Sequence, residues 1–346
     1  MDIKRSKVTL QDVADRSGYA LRTVKKVMKG ENVREKTKAD VLLAVKELRY
    51  VPPHGIRFLK KGDSCKIAVI YTPISESVYF KDIRRGLEMW LEEHREYNVT
   101  LDFLIPQSQR VEAQKQILEE VALRDDIKAV ILQPVDSTLL NGQINALVHS
   151  GKIVLTLGAD APESERIAYV GPNAYQAGRI CCQIMANYLG KKGSIYIISQ
   201  AHGHMQTIER KYGFVEMMLD TYPDISVYEL TIPDDSNLYY ELVRSIVVSK
   251  KINALFCTDA NTNIVGRVVR DLNRDDIIVF GFDRSEETDV LLYDGYIQVI
   301  LDQKPVEMAY KALDKFVGYL YKQEKMEPVQ LTPLYVLTGE CLSDKY

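Results

Sequence analysis

Apolar residues recur along this chain with two different periods, and the change from one to the other divides it. Up to about residue 50 the spacing is helical. Thr9-Leu10-Gln11-Asp12 sets a hydroxyl three residues ahead of an acid, an arrangement that caps a helix start, and Val13 and Ala14 give the next turn an apolar side. Gly18 stands where such a helix ends on a left-handed residue. A second helix is predicted from Leu21 to about Lys29. Val24, Val27 and Met28 share one of its faces, Arg22, Lys25, Lys26 and Lys29 lie largely away from it, and Gly30 closes it. A third is predicted from about Glu35 to Arg49, with Val41, Ala44, Val45 and Leu48 at i, i+3, i+4 and i+7.

From Tyr50 to Gly62 the pattern breaks. Pro52, Pro53 and Gly55 weaken any helix there, so the segment reads as a linker that is mobile in the free protein. From Lys66 onward, short β-branched runs alternate with amphipathic stretches. The strand candidates are Ile67–Tyr71, Val99–Phe103, Ala129–Leu132, Ile153–Leu157, Ser194–Ile198, Ala254–Thr258, Ile277–Phe280 and Ile297–Leu301. Between them fall the helical stretches Asp82–His94, Ala113–Arg124, Tyr175–Leu189, Glu209–Leu219 and Val306–Tyr321. That alternation predicts parallel sheets with helices on both faces. So long a stretch exceeds one such sheet, and two lobes are expected. The fold class is therefore α/β: a small all-α head on a two-lobed body with two parallel sheets. The expected divisions are a head over 1–50, a linker over 51–64, one lobe from 65–161 plus 293–322, and another from 162–292 plus 323–346.

Charge sharpens the division. The 346 residues carry 45 Lys and Arg against 48 Asp and Glu, a net −3 that hides an asymmetry. Residues 1–62 hold 16 basic against 7 acidic side chains, and the remainder 29 against 41. A basic head on an acidic body suits a phosphate-binding module joined to a different kind of domain. Two short helices joined at a glycine turn, the second one cationic, describe a helix-turn-helix. With 46% apolar residues the chain has a sizeable core, which excludes the disordered class. No apolar run approaches the roughly 20 residues that cross a bilayer. MDIKRSKVTLQDVADRSG lacks the apolar stretch of a secretory signal. Cys65, Cys181, Cys182, Cys257 and Cys341 form neither a metal spacing nor a disulfide framework, and fit free thiols in a reducing cytosol. Membrane, secreted, collagen-like and zinc-finger readings are excluded, and a cytoplasmic protein is expected.

The runs VTLQDVADRSG (8–18), TVKKV (23–27) and VLLAVKELRYVP (41–52) resemble the head of the LacI/GalR family of bacterial repressors. The resemblance implies that the second helix enters the major groove of DNA. It places Leu21, Arg22, Lys25 and Lys26 at the positions that meet bases or phosphates, with Thr9, Thr23 and Lys29 completing the DNA-facing set. Arg22 has the bidentate fork that suits guanine O6 and N7, whereas the lysines suit phosphates. Leu21 is read equally as a packing residue or a contact to a thymine methyl. Ala20 stands where the family usually has Ser, which removes a capping hydroxyl at a cost of about 1 kcal/mol. Lys25-Lys26 replace a usual Ser-Arg, so the operator differs from the family's commonest. The linker resembles the family's hinge, a short helix that forms on DNA, and Leu59 matches the leucine that wedges between base steps of the minor groove. Pro53 replaces an Asn, and Ile56 and Phe58 add bulk where two hinges approach. An ordinary domain linker is the other reading.

In such α/β bodies ligands bind beyond the carboxyl ends of strands. The residues there are Ser77-Val78-Tyr79-Phe80, Gly158-Ala159-Asp160, Arg210, Asp259-Ala260-Asn261, Gly281-Phe282-Asp283 and Gln303. Aromatic faces, carboxylates, a guanidinium and amides together suit a polyhydroxylated ligand. Residues 65–340 resemble the periplasmic sugar-binding-protein fold that serves as the same family's effector domain. The matching motifs are Tyr79-Phe80 before Arg84-Arg85-Gly86, Val135-Asp136-Ser137, Glu209-Arg210 before Tyr212-Gly213-Phe214, and Val279–Asp283. In ribose-binding-type members the positions of Tyr79, Phe80, Arg210, Asp259, Asp283 and Gln303 contact the sugar; Asp136 and Gly158 complete the expected ligand set. Gly158-Ala159 replace an Asp-Arg pair that grips ligand in those relatives, which disfavours ribose and suits a bulkier or different polyol. Arg210 and Asp283 have an alternative as an ion pair, and Phe80 is read equally as core or ligand contact. Asn173 reads as a helix cap, and Trp90, beside Leu87 and Leu91, as core or interface.

His202-Gly203-His204 with Glu209 lacks the HExxH or Cys-rich spacing of a metal site and reads as a loop after a strand. No G-x-S-x-G elbow, P-loop or G-x-G-x-x-G follows a strand. No catalysis, cofactor or metal is expected. The expected partners are a near-palindromic double-stranded DNA operator, a second copy of the chain and a small sugar or polyol. Ligand-driven release and ligand-driven binding of DNA stay open. So do a sugar receptor without regulation, an enzyme on the same scaffold, and an effector that is a nucleobase or a protein.

Overall fold

A computed structural model describes residues 10–28, 33–48, 63–71, 78–201, 205–233 and 238–342. In the head, α1 (Leu10–Ser17), α2 (Leu21–Met28) and α3 (Glu35–Glu47) bury Val13, Ala14, Val24, Val27, Val41 and Ala44 against one another. Gly18, at φ 74°, makes the turn after α1 and donates its N–H to Ala14 O at 3.0 Å. The Tyr19 hydroxyl ties this turn to α3 by donating to Asp40 Oδ2 at 2.8 Å. Thr9, Lys29, Leu59, the linker as far as Gly62, Ser77 and the His202–His204 loop lie outside the described residues.

Beyond the head, the alternation of strands and helices folds into two sheets. One holds β1 (Cys65–Ile70), β2 (Val99–Leu104), β3 (Ile127–Leu132), β4 (Ile153–Leu157), β5 (Ala168–Gly171) and β11 (Val329–Leu331). The other holds β6 (Gly193–Gln200), β7 (Ile225–Ile232), β8 (Ala254–Cys257), β9 (Ile278–Phe282), β10 (Val299–Asp302) and β12 (Tyr335–Leu337). Their orders are β11-β5-β4-β3-β1-β2 and β12-β10-β9-β8-β6-β7. Every described pairing is parallel except β10 with β12.

The two-residue period of a strand explains why each sheet has two cores. In β1, Cys65, Ile67 and Val69 join the layer under α4 (Val78–Glu93) and α12 (Pro305–Val317). Ala68 and Ile70 point to the opposite layer, under α5 (Val111–Ala122) and α6 (Asn141–His149). In β8, Ala254 and Phe256 face α7 (Ala174–Tyr188) and α8 (Met205–Thr221). Leu255 and Cys257 face α9 (Tyr239–Ser249), α10 (Thr262–Asp271) and α11 (Glu286–Tyr293). Trp90 is core: its Nε1 donates to Asp314 Oδ1 at 3.0 Å and joins α4 to α12.

Sheet membership corrects the expected lobe divisions. Residues 168–171 and 329–331 belong to the first sheet, whereas 299–302 belong to the second. The chain therefore crosses between lobes at about 172–173, 303–304 and 332–334, rather than at 161/162, 292/293 and 322/323. The strands that decide this are three or four residues long. Runs that short carry too little alternation to show which sheet they join.

Candidate functional site

Three strand ends of the second sheet converge on the junction between the lobes. Asp259 follows β8, Asp283 follows β9 and Gln303 follows β10. Asp259 is buried and accepts from the Tyr239 hydroxyl at 3.1 Å, and from Asn261 N and Nδ2, each at 2.9 Å. Asp283 adopts the left-handed conformation, φ 64°, which residues other than glycine adopt uncommonly and Asp more readily than most. Its Oδ1 accepts from Gln303 Nε2 at 2.8 Å. Burial pushes both carboxyls above their ordinary value, although Arg210 draws Asp283 back down and Asn261 does so for Asp259.

Arg210 does not follow a strand. It lies inside α8, four residues after Gln206, so the two side chains share a face. Its Nη1 donates to Thr258 O at 2.9 Å, its guanidinium stacks 3.7 Å from the Phe282 ring centroid, and its buried Nε–H has no partner. Two glycines set this position. A Cβ on Gly178 of α7 would overlap the Arg210 carbonyl, and one on Gly213 of α8 would overlap the Tyr175 carbonyl. The two helices thus meet backbone to backbone.

The first lobe supplies Tyr79, Phe80, Gln133 and Gly158. Tyr79 and Phe80 open α4 rather than lying in a loop, and both are buried. Phe80 stacks on Tyr71 with ring centroids 5.2 Å apart and belongs to the apolar core, so its packing role is visible directly. The Tyr79 hydroxyl is buried and faces Gln206 without completing a hydrogen bond, and burial pushes its phenol well up. Gly158, at φ 78°, turns the chain after β4; a Cβ there would lie 2.7 Å from that hydroxyl. Gly158 O accepts from Gln206 Nε2, a direct bond between the lobes, and from the Tyr169 hydroxyl at 3.0 Å.

Asp136, one of the expected ligand contacts, and Asp160, which follows β4, are held by other partners. Asp136 accepts the backbone N–H groups of Thr138 and Leu139 at 2.8 and 2.7 Å, and this turn leads into α6. Partial burial raises its carboxyl, yet those N–H groups hold it below its ordinary value. Asp160 is clamped by Arg166 and also accepts from Thr156 Oγ1 at 2.8 Å. Sequence reasoning missed Gln133 and Gln206. Gln133 immediately follows β3, is 5% exposed, and keeps its Oε1 without a partner. Its backbone carbonyl accepts from Gln114 Nε2 at 2.8 Å. Beside the junction, Gly158, Asp160, Tyr169, Asn173, Gln206 and Glu209 line a cavity of about 170 Å3.

In the head, α2 exposes Arg22, Lys25 and Lys26 on one side, with Thr23 half-buried. Leu21 is partly buried against the head's core, which favours its packing role. Residues 9–53 match the family of bacterial regulatory proteins, lacI family, and residues 67–324 match the periplasmic binding protein domain.

The chain belongs to the LacI family, with a periplasmic-binding-protein body.

The HTH-type transcriptional repressor PurR of Pectobacterium carotovorum is 41% identical over 81 residues, 23% of this chain. That match spans about a quarter of the relative's length, 24%. PurR of Histophilus somni is 27% identical over 255 residues, 72% of this LacI-family chain and 73% of the relative. An ABC transporter solute binding protein from Burkholderia graminis, in complex with D-arabinose, superposes with a TM-score of 0.72. It is 25% identical, over 83% of this chain and 99% of that one.

Among the described residues no group of three or more His, Cys, Asp or Glu side chains is placed to hold a metal ion, and no helix is long and apolar enough to cross a membrane. Burial pushes the Cys65 and Cys182 thiols up to about 12, far from the range of a reactive thiolate.

Proposed function

We propose that this chain is a sequence-specific DNA-binding transcriptional repressor of a carbohydrate-utilisation operon, without enzymatic activity. A sugar or polyol bound between the lobes alters its affinity for the operator. The observation that carries the ligand reading is the set of polar atoms left without partners at the interlobe junction. Gln133 Oε1 is a bare acceptor and Arg210 Nε–H a bare donor, both buried, with the Tyr79 hydroxyl between the lobes. A buried polar group without a partner costs about 1–3 kcal/mol, so the site favours a molecule that supplies both donors and acceptors. Hydroxyl groups do both at each carbon. The D-arabinose complex of the Burkholderia relative agrees in ligand class.

Tyr79 and Gln133 belong to one lobe, Arg210, Asp259 and Asp283 to the other. A ligand touching both sets stabilises one interlobe angle over another. In a homodimer built by the bodies, that angle sets the separation of the two linkers and heads, and hence the fit of two α2 helices to a near-palindromic operator. Arg22 reads a base, Lys25, Lys26 and Lys29 hold phosphates with Thr9 and Thr23, and Leu59 wedges the minor groove. A cytoplasmic location follows from a DNA partner.

The test is thermal unfolding of the purified protein against sugars, polyols and nucleobases, then operator binding with and without any hit. A ligand at 100 times its Kd stabilises the body by about 2.7 kcal/mol. A stabilising sugar or polyol that shifts operator affinity supports the reading. A nucleobase that does so replaces the effector and keeps the repressor. Binding to random DNA as tight as to any selected sequence removes the regulatory reading.

A further inference from the structure

Two of the three crossings between the lobes enclose a second cavity, separate from the junction described above. One is Gln303–Lys304, which leads into α12; the other is Thr332–Leu334, which leads from β11 to β12. The space between them measures about 180 Å3, where a single water needs only about 10–15 Å3. Val170, Met308, Leu331 and Pro333 provide an apolar wall.

The polar lining has a definite chemistry. Lys304, Lys311 and Lys315 border the cavity against a single acid, Glu307. Lys304 Nζ lies 3.3 Å from Asp302, and Lys311 Nζ lies 3.6 Å from Glu307 in a pair exposed on both sides. Lys315 has no acidic partner within 4 Å among the described residues. Three residues of the same lining carry buried polar atoms without partners: Gln303 Oε1, Gln330 Oε1 and Thr332 Oγ1. Gln303 is 1% exposed, and because its Nε2 is held by Asp283, its Oε1 is left as the acceptor end of a residue that lines the cavity.

Cations and orphaned polar atoms in one lining are the complement of a molecule with an anionic end and a hydroxylated body. We propose that this hinge cavity is a second ligand site, selective for a small polyhydroxy anion such as a sugar phosphate or a sugar acid. The anionic group sits against Lys304, Lys311 and Lys315. Its hydroxyls donate to Gln303 Oε1 and Gln330 Oε1 and meet Thr332 Oγ1. Because the walls are the crossings themselves, occupancy favours one interlobe angle. The site does not depend on which effector fills the junction.

Calorimetric titration of the full-length protein tests this with glycerol 3-phosphate, ribose 5-phosphate and gluconate, and with glycerol and inorganic phosphate as probes of each half alone. One or more of the hydroxylated anions is expected to bind more tightly than either half, and added salt weakens that binding. Lys315→Gln, at an exposed position that leaves the fold intact, is expected to weaken it about tenfold, the loss of one charge-assisted contact. Thr332→Val weakens it further, while Lys250→Gln, an exposed lysine at the end of α9 that does not line the cavity, leaves it unchanged. Tight phosphate esters with weak gluconate assign the anion as a phosphate, and the reverse assigns a carboxylate. Absence of binding by all three anions into the low millimolar range overturns the proposal. So does binding that Lys315→Gln leaves intact or that Lys250→Gln weakens equally, since either result puts the ligand elsewhere or makes the attraction one of overall charge.

Discussion

Gln303 holds Asp283 in place: the amide Nε2 at the end of β10 donates to the Asp283 carboxylate at 2.8 Å. The two residues end neighbouring parallel strands, in register through Leu301 and Phe282. Asp283 sits in the left-handed conformation, so its direction rests on what restrains the side chain as well as on the strand. The amide is that restraint, and its residue also lines the hinge cavity.

Asp283→Asn is expected to raise thermal stability of the ligand-free protein at neutral pH while abolishing its response to effector. Burial, the largest influence, lifts the Asp283 carboxyl above its ordinary 3.8. A raised folded value means that the folded protein holds the proton better than the unfolded chain does. The resulting stabilisation is present below pH 3.8 and is lost as pH rises through the folded value. The variant's advantage in unfolding temperature therefore shrinks as pH falls toward 4. An advantage that stays constant with pH would assign the effect to packing.

Gly213→Ala is expected to destabilise by about 1–3 kcal/mol or more, because the new methyl meets the Tyr175 backbone. At an open helical position the same change gains up to about 1 kcal/mol. Denaturant titration gives the sign, and weaker effector binding would follow from displacement of Arg210.

Gly158→Ala places a side chain at φ 78° and 2.7 Å from the Tyr79 hydroxyl. The expected loss is about 1–3 kcal/mol of stability, together with a weakened response to effector. Unfolding with and without ligand separates the two: a loss of stability with full response would show that Tyr79 adapts.

Much of this arrangement is legible in the sequence, and its gaps have physical causes. The sequence places Asp259, Asp283 and Gln303 after strands, and the structure puts them at the ends of β8, β9 and β10, because each strand end is marked by a polar residue after an apolar run. Gln133, directly after β3, meets the same condition two residues ahead of the Val135-Asp136-Ser137 motif. Asp136 is a turn-forming acid, and a sequence does not separate that use from ligand binding. Arg210, expected after a strand, lies inside α8. Gln206 and Arg210 act from a helix whose position is set by glycines pressed against a backbone, a tertiary contact without local signal. β5, β7, β11 and β12 are not among the expected strands. β7 is an edge strand whose pattern mixes Tyr228 and Glu229 with apolar residues, and it carries only a weak alternation.

At the DNA-facing helix, Arg22→Ala is expected to cost about 1–3 kcal/mol on the operator and to relax base preference. Lys26→Ala weakens operator and random DNA alike and flattens the salt dependence. Leu21→Ala lowers the stability of the head without altering base choice, in keeping with its partial burial. Binding titrations at several salt concentrations distinguish the three; equal losses for Arg22→Ala on both kinds of DNA would remove its assignment.

The glycine contacts carry a mechanical consequence. In one lobe α7 and α8 touch through Gly178 and Gly213, and in the other a Cβ on Gly86 of α4 would overlap the Val306 carbonyl of α12. Backbones in direct contact leave no compliant side-chain layer to absorb a displacement. Each lobe behaves as a stiff lever, and a shift of a fraction of an ångström at the fulcrum of the three crossings is magnified in proportion to the lever's length. A molecule too small to span either lobe then commands a movement at its far end.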